Sequence, residues 1–303
     1  MSSYDIFDNA VKQKFPGMRV AADEPMSKHT SFRIGGAARR MAFPKNECEF
    51  ALLLDLCREI GMETLILGNG TNLLVADEGI DRVVVATCEM SEVEMAGENV
   101  LKAAAGVPLA LLAVTAQSSG LTGLEFAHGI PGSVGGAVVM NAGAYGGEIK
   151  QVVRRVTAWF PGGVRILEAA ELDFSYRHSV FSEHPEAVVM SAEFALARGD
   201  RAEIKGKMED LMNRRRASQP LEYPSAGSTF KRPEGYFAGA LIEQSGLKGA
   251  RVGGAQVSEK HAGFIINTGG ATCGDVLELI KMVQERIYAE KGVRIEPEVK
   301  IIK

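Results

Sequence analysis

Several short segments of this chain carry groups suited to chemistry. GNGTN at 68–72 and GIPGSVGG at 129–136 place glycines where backbone can meet a ligand. A phosphate reaches backbone N–H donors only where no Cβ stands in the way. Both loops follow apolar segments. The second runs into AVVMNAG, predicted to be a helix whose N-terminus favours an anion. A tight turn needing positive φ also explains either loop taken alone. Two such loops, together with NAGAYGG at 141–147, point to a large phosphorylated ligand. FSYRHS at 174–179 offers a fixed guanidinium from Arg177, or an exposed strand end. In SAGSTFKRP at 225–233 the Ser228 hydroxyl follows Ala226 and Gly227 with little crowding, and Lys231 and Arg232 add two cations; a turn with solvated charge is the alternative. Glu298 stands beside Pro297 in the last segment, where it can also face solvent.

Motifs that specify other chemistries are missing. The sequence has no GxxxxGK[ST], no GxGxxG with a trailing acidic residue, no HExxH and no GxSxG. Cys48, Cys57, Cys88 and Cys273 show neither CxxC nor metal-ligand spacing, so no metal is expected and the cysteines read as free thiols of a reducing cytoplasm.

The elements that must position these groups follow from periodicity and breakers. Apolar spacing predicts helices over 4–15, 47–60 and 108–118. TLIL (64–67) and RVVVAT (82–87) read as short buried strands flanking the first glycine loop. Alternation from 92 to 105 around Gly97-Glu98-Asn99, and 153–160 with 164–169 across PGG, predict hairpins; 187–197 is a further strand. The texture changes near 198–200. A charged helix over 201–217 ends in Arg214, Arg215 and Arg216, which read as a solvated helix end. A helix near 235–245 and short strands follow. A long helix is then capped by Thr272, striped by Val276, Leu279, Ile280, Val283 and Ile287, and ended by Gly292. VRIEPEVKII alternates, and Pro297 makes it an edge or bulged strand.

Composition bounds the class. The 303 residues are 24% charged and 46% apolar, as in an ordinary globular chain long enough for two domains. The net charge of −4 argues against a general nucleic-acid binder. No apolar run approaches the ~20 residues of a membrane span, and the first residues lack the apolar core of a signal peptide.

Taken in order, HTSFRIGGAA (29–38), LGNGTNLL (67–74), GLEFAHGIPGSVGGAVVMNAGAYGGE (123–148), YRHS (176–179), GSTFKRP (227–233) and EPEVKII (296–302) resemble the UDP-N-acetylenolpyruvoylglucosamine reductase family. The resemblance implies an α+β chain: a two-lobed FAD-binding fold of the vanillyl-alcohol oxidase type plus a C-terminal α/β substrate-binding domain. The implied bounds are 1–20 for an N-terminal helix, 21–80 and 81–197 for the two lobes, and 198–303 for the substrate domain. It implies non-covalent FAD lined by Gly68, Asn69, Gly70, Thr71, Asn72, Ile130, Pro131, Gly132, Ser133, Gly135, Gly136, Asn141, Ala142 and Gly143. Gly135 is expected to face a phosphate.

The implied reaction uses NADPH to reduce the enolpyruvyl ether of UDP-N-acetylglucosamine to UDP-N-acetylmuramate for peptidoglycan synthesis. Hydride passes from flavin N5 to the terminal vinyl carbon, and protonation by Ser228 follows. By motif, Arg177 and a neutral Glu298 stabilise the developing charge, and Tyr176, Arg177, Lys231 and Arg232 contact substrate. The chain resembles the short form, without the inserted loop that bears a tyrosine over the substrate. Where the longer form has GSFFKNP this chain has GSTFKRP, with Arg232 replacing an asparagine. An FAD-dependent alcohol oxidase of the same superfold and a non-catalytic flavin- or nucleotide-binding module are the competing expectations.

Overall fold

A computed structural model describes residues 2–303. The chain divides into two units, each with its own apolar core. Unit 1 comprises 1–21, 40–69 and 82–214; unit 2 comprises 22–39, 70–81 and 215–303. The strands Arg19–Pro25, Ala37–Phe43 and Ile80–Ala86 each run from one unit into the other. The charged helix expected to open the third lobe, Arg201–Ser218, belongs to unit 1 through Arg214.

Unit 1 is built on a five-stranded antiparallel sheet, ordered Gly163–Glu168, Val153–Phe160, Val188–Ala195, Val100–Ala104, Val93–Gly97. The hairpin signals explain the ends of this order: each outer strand follows or precedes its neighbour in sequence across a Gly-containing turn. Val188–Ala195 lies centrally and is buried almost throughout, Ser191 and Glu193 included, so burial runs along it continuously instead of alternating. The helices Ser3–Lys14 and Glu47–Glu59 contribute Phe7, Val11, Phe50 and Leu53 to the same core. The Leu109–Ser118 helix starts one residue after Pro108, which is its N-cap. Thr64–Leu67 pairs in parallel with Val83–Ala86, so the first glycine loop leaves from a strand end.

Unit 2 packs the helices Ala238–Gln244 and Cys273–Lys291 with a three-stranded antiparallel sheet, ordered Arg251–Val252, Ala255–Val257, Ile265–Asn267. The long helix begins and ends as its sequence predicts. Thr272 and Asp275 form a reciprocal capping box, and Gly292 closes the helix at φ 67, a conformation penalised for residues with a Cβ. The last segment departs from the expected strand. Only Lys300–Ile302 is regular, pairing in parallel with Leu73–Val75, because Pro297 has no N–H to extend a ladder. The alternation nonetheless sorts burial, with Ile295 and Val299 inside and Arg294, Glu296 and Lys300 exposed.

Candidate active site

In unit 1 the two glycine loops meet. Gly68 follows the Thr64–Leu67 strand so closely against Ser133 that an added Cβ would collide with the serine hydroxyl oxygen. Asn69 Nδ2 donates to the Pro131 carbonyl at 3.0 Å. Leu109 N–H donates to the Gly132 carbonyl at 2.9 Å, fixing the second loop from its other side. Ser133 then caps a helix that starts at Val134, earlier than predicted, and ends at Val139. Among the described residues, the N–H groups of Gly68, Asn69, Gly129, Gly132 and Ser133 donate to no protein acceptor. His128 Nδ1, at the entrance to the second loop, is buried without a hydrogen-bond partner.

Not every glycine of the loop offers a donor. Val134 and Gly135 donate to the carbonyls of Val107 and Ala105, both at 2.9 Å. A Cβ at Gly135 would lie 3.0 Å from that of Ala105 and 3.3 Å from its carbonyl oxygen. Gly135 is therefore a close-packing position whose N–H is already used, not a phosphate donor. Ile130 likewise donates to Ala127, Ala142 donates to Ala137, and Gly143 pairs with Glu148 in a hairpin.

Asn141 holds the next functional piece. Its Nδ2 donates at 3.0 Å both to a Glu148 carboxylate oxygen and to the Ser175 carbonyl, while its Oδ1 accepts from Lys150 N–H at 3.0 Å. The side chain is thus satisfied by protein. Ser179, fully buried, donates its hydroxyl to the Val139 carbonyl at 2.8 Å. Between these two anchors Ser175 and His178 exchange backbone hydrogen bonds, and Tyr176 and Arg177 form the tip of the turn. Arg177 sits there at φ 55, where glycine is usual. The turn dictates that conformation, and its anchors maintain it. Tyr176 is exposed, with its ring 5.5 Å from the Arg177 guanidinium carbon. Hydrogen bonds from Lys150 and Asn141, with the charge of Lys150 and of Arg177, hold the Glu148 carboxyl below its ordinary range against a desolvation that opposes them.

Unit 2 brings the Ser228 and Glu298 segments side by side. Phe230 bridges Pro297; Glu298 N–H donates to the Thr229 carbonyl at 2.8 Å, and Lys231 N–H to the Glu296 carbonyl at 2.9 Å. Thr229 is a pin that sequence reasoning missed. It is buried, its hydroxyl oxygen accepts from Ile265 N–H at 3.0 Å, and its own N–H donates to the Gly263 carbonyl at 2.8 Å. Its one sequence signal is a β-branched residue directly after the small residues 225–228. Ser228 is half-buried, and its hydroxyl lies 3.4 Å from the Phe230 carbonyl. Lys231 pairs with Glu296 at 3.1 Å, both exposed, a contact of small worth that a ligand can displace. The Arg232 guanidinium lies 4.4 Å over the Phe237 ring. Gly70, Thr71 and Asn72 also belong to unit 2. The Asn72 side chain donates to the Glu298 carbonyl at 3.2 Å, and its carbonyl accepts from Lys300 N–H at 2.9 Å.

Comparison with known proteins decides between the readings that this geometry permits. Residues 38–167 match an FAD binding domain, and residues 219–302 match the C-terminal domain of UDP-N-acetylenolpyruvoylglucosamine reductase. A UDP-N-acetylenolpyruvoylglucosamine reductase of Caldanaerobacter subterraneus is 48% identical over 98% of each chain, and one of Clostridium novyi is 51% identical over 91% of this chain and 90% of its own. The chain belongs to the UDP-N-acetylenolpyruvoylglucosamine reductase family. The crystal structure of the Thermus caldophilus reductase superimposes with a TM-score of 0.81 at 36% identity, covering 94% of this chain and all of that one. As in that family, an α+β chain combines an FAD-binding domain with the reductase C-terminal domain. The residues present fit the cofactor: backbone donors of Gly68, Asn69, Gly129, Gly132 and Ser133 without a protein acceptor gather where the two glycine loops meet, and the buried His128 Nδ1 beside them is orphaned. No helix among the described residues is long and apolar enough to cross a membrane.

Proposed function

We infer that this chain reduces the enolpyruvyl ether of UDP-N-acetylglucosamine to UDP-N-acetylmuramate with NADPH, in the cytoplasm, as a step of peptidoglycan precursor synthesis. Membership of the reductase family supports the reaction. FAD, when bound, supplies the hydride relay between NADPH and the terminal vinyl carbon. The backbone donors of Gly68, Asn69, Gly132 and Ser133 hold its phosphates in unit 1.

The protein's own groups manage the charge and the proton. Hydride arrival at the vinyl terminus leaves negative charge on the neighbouring carbon and its carboxylate. Arg177, preset by its turn, neutralises that charge without reorganising. Glu298 acts in its neutral form as a hydrogen-bond donor, since a second anion there would oppose the reaction. Ser228 gives its hydroxyl proton to the enolic carbon. Lys231 and Arg232 contact the substrate, and Lys231 exchanges Glu296 for it.

One observation carries the assignment of the proton donor: the register that places Glu298 opposite Thr229, next to Ser228. Stopped-flow absorbance tests it. Ser228→Ala is expected to keep NADPH-dependent flavin bleaching. It should slow reoxidation of prereduced enzyme by enolpyruvyl substrate ~10²–10⁴-fold, the usual loss of a general acid. Ser228→Cys should recover part of the rate. Equal slowing of both phases would remove Ser228 from the mechanism.

A further inference from the structure

The hairpin that follows Asn141 ends in an unusual residue. Ala144 pairs with Gly147 and Gly143 with Glu148, so Tyr145 and Gly146 form a two-residue turn. Their φ values, 54 and 85, are those of a turn whose first position favours Asn, Asp or Gly. A bulky residue there is a genuine outlier. Nothing inside the chain offsets it. Tyr145 is 45% exposed and makes no hydrogen bond, ion pair or ring contact among the described residues. A Cβ at Gly146 would meet only open space, so the tip is not packed.

The base of the hairpin, by contrast, is fixed. A Cβ at Gly147 would run into the Phe126 ring. Asn141 ties Glu148 and the Ser175 carbonyl to one amide, so the hairpin and the Arg177 turn share an anchor. Three of the six non-glycine residues at positive φ, namely Asn141, Tyr145 and Arg177, fall in this one network. Uncompensated strain persists where a ligand uses it.

We propose that Tyr145 is a specificity residue, an aromatic face on which a flat heteroaromatic ring of an incoming nucleotide stacks during the reduction. The shared chemistry is ring stacking, and the ring comes either from NADPH or from the uridine of the substrate. The proposal rests on the reductase reading given above. An exposed phenol ring on a rigid hairpin loses little entropy on stacking, and it lies in the network that holds the proposed charge-stabilising arginine.

The test compares wild type with Tyr145→Gly, Tyr145→Asn and Tyr145→Phe, all loaded with FAD. Relief of the backbone strain should raise the Tm of the Gly and Asn variants. In the same two variants the half-saturating concentration should rise about tenfold, as for one lost stacking contact, for either NADPH in flavin reduction or UDP-N-acetylenolpyruvoylglucosamine in reoxidation. The arm that shifts names the source of the ring. Calorimetric titration with NADP⁺ or UDP should show the same loss without turnover. Tyr145→Phe keeps the ring and should match wild type in affinity. Unchanged affinity in both arms, a fall in Tm for both Gly and Asn, or loss of FAD would each overturn the proposal. Failure of the reductase reading looks different, because wild type itself would then not turn over.

Discussion

At the residue scale, the side chains that hold the machinery are distinct from those that perform it. Arg177 owes its position to two anchors of its turn: Asn141, which holds the Ser175 carbonyl, and Ser179, which holds the Val139 carbonyl. Asn141→Ala deletes three internal hydrogen bonds of a buried side chain, so it should destabilise by about 1–3 kcal/mol. It should also slow substrate-dependent reoxidation, since the Arg177 turn loses one of its two anchors. Urea denaturation and stopped-flow kinetics check the two effects. Unchanged reoxidation would separate Asn141 from the arginine. Gly135 gives the opposite lesson. Its expected role in the phosphate wall predicts loss of FAD with the fold kept. Its packing against Ala105 predicts instead that Gly135→Val overfills the core, at about 1–3 kcal/mol. Urea midpoints of the apoprotein decide: an unaltered midpoint with FAD lost would restore the phosphate-facing role.

At the element scale, the Cys273–Lys291 helix shows how an end is fixed. Thr272 and Asp275 cap each other, with Asp275 N–H donating to the Thr272 hydroxyl at 3.0 Å and Thr272 N–H to the Asp275 carboxylate at 3.0 Å. The Gly254 N–H adds a third donor at 3.2 Å. Hydrogen bonds from the backbone N–H groups of Thr272 and Gly254 hold the Asp275 carboxyl below the ordinary range. A depressed folded pKa gives stability that is fully present above the unfolded value, near ~3.9, and lost as pH falls through the folded value. Asp275→Ala should therefore lower Tm at neutral pH, and its gap to wild type should narrow progressively below about pH 4. A gap independent of pH would mean that the carboxylate charge contributes nothing at this cap.

At the scale of the whole molecule, cofactor and fold are linked. FAD binds the folded chain, so at a free concentration of 100 times Kd it should stabilise by about 2.7 kcal/mol. Stripping FAD should lower Tm, and adding it back should restore the loss. The link to protein is expected to be non-covalent. Neither glycine loop, 68–72 or 129–136, contains a histidine or a cysteine, and the four cysteines are free. Acid precipitation should leave all yellow colour in the supernatant; colour held in the pellet would show a covalent flavin. Anaerobic bleaching by NADPH, with no oxidation of simple alcohols under air, separates the reductase from an oxidase of the same superfold.

Local chemistry made much of this protein legible from sequence. Caps, breakers and periodicity placed the Cys273–Lys291 helix, the hairpins and the Thr64–Leu67 strand, because each depends on neighbours within a few residues. Motif order carried the family, and with it the cofactor and the reaction. Other features depend on residues far apart along the chain, which only the tertiary structure brings together. Gly68 meets Ser133, Gly135 spends its N–H on Ala105, and Asn141 reaches Ser175. Thr229 sets Ser228 against the Glu298 segment. A glycine that packs against a carbonyl and a glycine that faces a phosphate look alike in sequence, since both lack a Cβ; the partner of the N–H distinguishes them, and tertiary structure decides that partner.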